Sequence, residues 1–99
     1  MRRIKTRSFD ASEFLKSEAD MASYLEAALA EGEPALVTAA LGAIAKARGM
    51  AQIAKATGLR RESLYKALSA EGNPEFSTIL KVVKALGIRL HAKASYAAV

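Results

Sequence analysis

The stretch from Met50 to Ser69 constrains this chain more than any other. Ala54 stands four residues before Gly58, Ile53 and Leu59 flank them, and Leu64 follows six residues after the glycine. Two short helices crossing at a fixed angle need a small residue where they meet, a residue free to take positive φ where the chain turns, and apolar residues that plug the junction. The spacing therefore predicts a helix from Met50 to Thr57, a corner at Gly58, and a second helix over about Arg61 to Ser69 with Leu64 and Leu68 one turn apart on its inner face. Two positions depart from this pattern. Ala67 stands where a larger aliphatic would pack, which passes that task to Leu68, and Arg60 stands where a Ser or Thr cap would be expected.

Any helical hairpin with a glycine corner would share those apolar positions. What sets this one apart is its outer face. With Leu64 and Leu68 inward, Glu62, Tyr65, Lys66 and Ser69 project outward, preceded by Arg60 and Arg61 at the helix start. Cations at a helix N-terminus oppose the helix dipole, a local cost that suggests an anionic partner. Arginine can bond guanine O6 and N7 together, and a glutamate can accept from cytosine N4, so this is a set of groups suited to reading base edges. Gln52, early in the first short helix, and Asn73, in the loop that follows the second, are candidate phosphate contacts.

The rest of the chain reads as helices around this pair. Ser17 and Asp20 have the spacing of a capping box with Asp in place of Glu, and Met21, Tyr24, Leu25, Ala28 and Leu29 then form one apolar face of a helix ending near Ala30. Glu31-Gly32-Glu33-Pro34 breaks it, and Pro34 opens a helix whose stripe is Leu36, Val37, Ala40, Leu41 and Ile44, ending near Gly49. After turn chemistry at residues 70–74, Phe76, Ile79, Leu80, Val83 and Leu86 mark a strongly amphipathic helix with Lys81 and Lys84 outside, closed by Gly87. Ile88, Leu90, Ala92 and Ala94 alternate with Arg89, His91 and Lys93, the period of a half-buried strand, and residues 3–9 alternate weakly. The expected fold is all-α, a five-helix domain with a preceding N-terminal helix and short terminal strands.

Ninety-nine residues suit one compact domain, and 22 alanines in a chain that is 52 % apolar point to a small helical core. The absence of Cys excludes disulfides and thiolate chemistry, while one His and two Asp leave almost nothing from which to build a hydrolase or a metal site. The expectation is no enzyme and no cofactor. Ser63 and Ser69 have no neighbouring base, Glu31 and Glu33 read as a solvated turn, and His91 as a surface imidazole. No apolar run could span a bilayer and the basic N-terminus lacks the apolar stretch of a signal peptide, so a cytoplasmic location is expected. The net charge of +5 is unevenly spread: +4 over residues 1–9, −6 over 10–33 and +7 over 34–99. This divides the domain into a basic arm with an acidic helical segment, residues 1–33, and a basic body, residues 34–99.

YLEAAL at 24–29, ESLYKALS at 62–69 and GNPEFSTILKVVKALG at 72–87 resemble the probable addiction-module antidote proteins, a branch of the lambda-repressor-like helix-turn-helix superfamily. The likeness covers about residues 8–93. It implies a five-helix DNA-binding fold and an antitoxin that binds a small toxin of the RelE/ParE-like superfamily and represses their shared operon. A stand-alone repressor without a toxin is the alternative, and a neighbouring reading frame for a small basic protein would separate the two. Under the first reading the acidic segment, which DNA would repel, faces the toxin through Glu13, Glu18, Asp20 and Glu26, with the basic arm at residues 2–7 ordering on binding. A homodimer is expected, since one recognition helix covers only a few base pairs, with the edge of Ile88 to Ala94 pairing with residues 3–8 of the same or the other subunit.

Overall fold

Ser17 starts the first helix with its own side chain. In the computed structural model, which describes residues 11–95, its hydroxyl accepts the Asp20 amide at 3.1 Å. The Asp20 carboxylate reaches back to the amide of Lys16 at 3.1 Å, one residue beyond the usual partner in a capping box. Helix α1 (Glu18–Glu31) follows a 3-10 turn at Ala11–Phe14 and ends at Gly32. Helix α2 (Pro34–Arg48) has Pro34 in its first turn, α3 (Met50–Thr57) begins after Gly49, α4 (Arg61–Ala67) after the corner at Gly58, and α5 (Phe76–Ala85) after the loop at 70–75. All five helices fall where the sequence places them.

Helix α2 is the centre of the arrangement. It packs against the 3-10 turn, α1, α3 and α5. Leu41, Ile44, Ile53, Leu64, Val82 and Leu86 are fully buried, and Leu15, Met21, Leu25, Met50, Leu68 and Val83 close around them. Thr38 is buried as well, its hydroxyl donating to the Pro34 carbonyl at 2.9 Å, so the polar atom is satisfied within its own helix. Leu68 is buried while Ala67 is only partly so, as the departure from the apolar pattern required.

Three expectations about packing are corrected. On α5 the inward stripe is Ile79, Val82, Val83 and Leu86, with the spacing i, i+3, i+4, i+7, and Phe76 and Leu80 are largely exposed. Leu29 on α1 and Leu36 on α2 are exposed too, because Leu29 lies roughly 80° around the helix from Met21 and α1 contacts the core along Met21, Leu25 and Ala28. Among the described residues there is no strand. Ile88 packs on the core and its amide bonds to Val83 O at 3.2 Å, but Arg89 to Ser95 run on without regular structure. Alternation becomes a strand only when a second backbone pairs with it. Residues 3–9, the proposed partner, lie outside the described residues.

One close approach sets how α4 ends. A Cβ built on Gly42 would lie 2.3 Å from the Leu68 carbonyl oxygen, a backbone atom that cannot swing aside. Gly42→Ala should therefore reverse its usual sign. Alanine in a helix interior normally gains up to about 1 kcal/mol over glycine, whereas overpacking here costs about 1–3 kcal/mol. A lower urea midpoint for this variant is the expected result, and a higher one would show that the helices separate freely.

Candidate nucleic-acid interface

Helix α4 has only seven residues and no side-chain hydrogen bond at its N-cap, Arg60, so tertiary contacts must hold it. Leu64 is completely buried and Leu68 nearly so. The corner before it is built by Gly58, at φ 78°, whose amide bonds to the Ala54 carbonyl at 2.9 Å, with the Leu59 amide on the same oxygen at 3.2 Å. The Thr57 hydroxyl donates to Ile53 O at 2.8 Å and accepts the Leu59 amide at 3.3 Å, tying the last turn of α3 to the corner. Both ends of α4 are pinned, so its outer face has a fixed direction.

That face carries what the sequence reading assigned to it. Arg60, Arg61, Glu62, Tyr65 and Lys66 are all exposed. Ser69 is partly buried and its hydroxyl donates to the Lys66 carbonyl at 2.9 Å, so towards an outside group its oxygen can only accept. Lys66, Ser69 and Asn73 line one open recess of about 520 Å³ formed by the end of α4 and the following loop. The structure thus brings Asn73 to the end of the α4 face. Gln52 is exposed on α3, opposite the buried Ile53, and its amide oxygen lies beside Gly49 at the start of that helix. The described residues contain no group of three or more His, Asp or Glu able to hold a metal ion. No helix among them is long and apolar enough to cross a membrane.

The acidic residues divide into two kinds. Glu13, Glu18, Asp20 and Glu26 are all exposed. Glu18, however, pairs with Arg48 at 3.4 Å, and the same guanidinium nitrogen donates to the Leu86 carbonyl at 3.1 Å. Arg48 therefore joins the start of α1 to the end of α5, a role the sequence reading did not assign. Its place in the last turn of α2, where a cation suits the helix dipole, was the available signal. Asp20 is spent on the amide of Lys16. Glu13, in the 3-10 turn, and Glu26, midway along α1, carry no hydrogen bond or ion pair among the described residues.

Residues 5–94 match the protein family described as probable addiction module antidote protein. A protein of Haemophilus influenzae strain Rd, itself named an uncharacterized protein, is 47 % identical over 89 residues, which cover 90 % of this chain and 92 % of the relative. No solved structure matches the chain.

The division among the acids predicts unequal costs of removing them. Ser17→Ala and Asp20→Ala should each lower stability by about 1 kcal/mol through loss of the α1 cap, whereas Glu13→Ala and Glu26→Ala should stay within about 0.5 kcal/mol of the parent. Chemical denaturation of the four variants under one buffer condition checks the ranking.

Proposed function

The chain belongs to the probable addiction module antidote family, and on that premise we propose that it is an antitoxin acting in the cytoplasm. In this reading it captures and neutralises a small RelE/ParE-like toxin and represses its own operon by binding double-stranded operator DNA. The observation that carries the DNA half is the outer face of α4: Arg60, Arg61, Glu62, Tyr65 and Lys66 exposed on a short helix whose Leu64 is wholly buried. α3 and α4 then act as a helix-turn-helix, with α4 in the major groove. Arg61 or Arg60 supplies a bidentate contact to guanine, Glu62 accepts from a cytosine amino group, and Ser69, its proton already committed, accepts from a base amino group. Lys66, Gln52 and Asn73 hold phosphates and fix the register.

At seven residues α4 spans roughly 10 Å, enough for a few base pairs. A homodimer supplies the second reading helix and with it the specificity that one helix lacks. The toxin half rests on family membership and on the charge division, since a segment of −6 over residues 10–33 gains nothing by approaching DNA. Of Glu13, Glu18, Asp20 and Glu26, the first and last have carboxylates with no partner among the described residues. These two are the better probes of toxin contact.

On DNA from upstream of its own reading frame, Arg61→Ala with Lys66→Ala should weaken binding by at least tenfold at fixed salt, the loss of one bidentate contact alone being worth about 1–3 kcal/mol. Lys84→Ala, on α5, serves as the comparison in fluorescence anisotropy. Equal effects from both would remove α4 from the interface. Sedimentation of the free protein at tens of micromolar should show a dimer. For the toxin, the protein encoded in the adjoining reading frame is co-expressed with a tag and purified. Glu13→Lys with Glu26→Lys should reduce the antitoxin carried along while leaving DNA binding intact or slightly stronger. Undiminished co-purification would place the toxin contact elsewhere.

A further inference from the structure

The alternating tail and the exposed side of α1 form a groove that neither DNA reading nor the fold uses. Its volume is about 520 Å³. Ala22, Leu25, Leu29 and Ala30 make one wall, with Glu26 among them, and the residues after α5 make the other. Of that second wall, Ile88, Arg89, Leu90, His91, Lys93 and Ser95 line the groove, mixing two cations with two aliphatic side chains. Among the described residues, the backbone from Arg89 to Ser95 makes no hydrogen bond. Leu29 and Leu90 are 47 % and 36 % exposed. Backbone without a hydrogen bond among the described residues, a largely apolar wall that includes Glu26, and a wall carrying Arg89 and Lys93 therefore lie together in one place.

We infer that this groove takes an extended acidic segment of the partner protein, which adds as a strand to residues 89–95, sets carboxylates against Arg89 and Lys93, and lays apolar side chains on Leu29 and its alanine neighbours. The inference rests on the antitoxin reading for the identity of the partner, and on charge for the nature of the segment. Main-chain bonds supply affinity in strand addition, and alternate side chains supply the choice of partner. A second copy of this tail does not fit, because antiparallel pairing about His91 puts Arg89 of one copy opposite Lys93 of the other, and like charges directly opposed are destabilising. Residues 96–99 carry no charged side chain to answer the two cations.

The test uses the full chain and a fluorescein-labelled octapeptide of alternating Glu and Val, with a Lys/Val octapeptide for comparison. The Glu/Val peptide should reach half-saturation at a concentration at least tenfold lower than the Lys/Val peptide. Arg89→Glu with Lys93→Glu should remove that preference, and Leu29→Gln should weaken the Glu/Val peptide several-fold. All three positions are exposed, and thermal unfolding followed by circular dichroism verifies that the variants fold. Equal binding of the two peptides, no binding at millimolar concentration, or a folded Arg89→Glu/Lys93→Glu variant that binds as the parent does would each overturn the groove assignment. Co-purification separates this inference from the reading beneath it. If the parent captures the toxin and the Arg89→Glu/Lys93→Glu variant captures it equally well, the groove is wrong and the antitoxin reading stands. If the parent captures no toxin, the antitoxin reading falls whatever the peptides do.

Discussion

Where α2 passes the end of α4, the Leu68 carbonyl occupies the space in which a side chain at position 42 would begin. Much follows from that contact. Helix α4 is too short to persist alone, and its orientation is a matter of where it is held: at its start by the Gly58 corner, in its middle by Leu64 buried against the other helices, and at its end by Leu68 seated against α2. With those anchors in place, the directions of Arg61, Glu62, Tyr65 and Lys66 are settled by subtraction. A surface made of long flexible side chains gains its geometry from the apolar residues beneath it.

Electrostatics act in this molecule at two ranges. At short range Arg48 joins three helices, pairing with Glu18 and donating to the carbonyl of Leu86. The pair is partly solvated, so its worth in stability is about 0–1 kcal/mol, and its effect is more to hold the start of α1 near the end of α5 than to stabilise the core. At long range the same acidic residues belong to a segment of charge opposite to the body's. Glu18 and Asp20 thus serve the fold, while Glu13 and Glu26 have no partner among the described residues, a distinction that a count of charges does not contain. The groove beside α1 adds a second boundary, where cations of the tail face the apolar side of that acidic helix.

Much of the fold was legible because its punctuation is local. Ser17, Pro34, Gly49, Gly58 and Gly87 act on the backbone within a turn of themselves, and each marks a boundary where the structure has one. The inward direction of Leu64 and Leu68 was legible for a related reason, as the crossing of α3 and α4 is specified within twenty residues of chain. Less local features were misread. Phe76 and Leu80 fit an apolar period on α5 as well as Val82 does, and which period faces inward depends on where α2 and α3 lie. The alternation after Gly87 is genuine, yet among the described residues it forms no strand.

Sequence alone determined the helices, their ends, the apolar identity of the α4 inner face and the residue types on its outer one, because propensity, capping and turn chemistry act between neighbours. Tertiary structure decided which of two apolar stripes on α5 is buried, that Glu18 is engaged across the fold while Glu26 has no partner among the described residues, and that the tail lies along α1 to form a groove. These depend on contacts between residues far apart in the chain, such as Arg48 with Glu18 and Leu86, and no local period encodes which distant partner a side chain will meet.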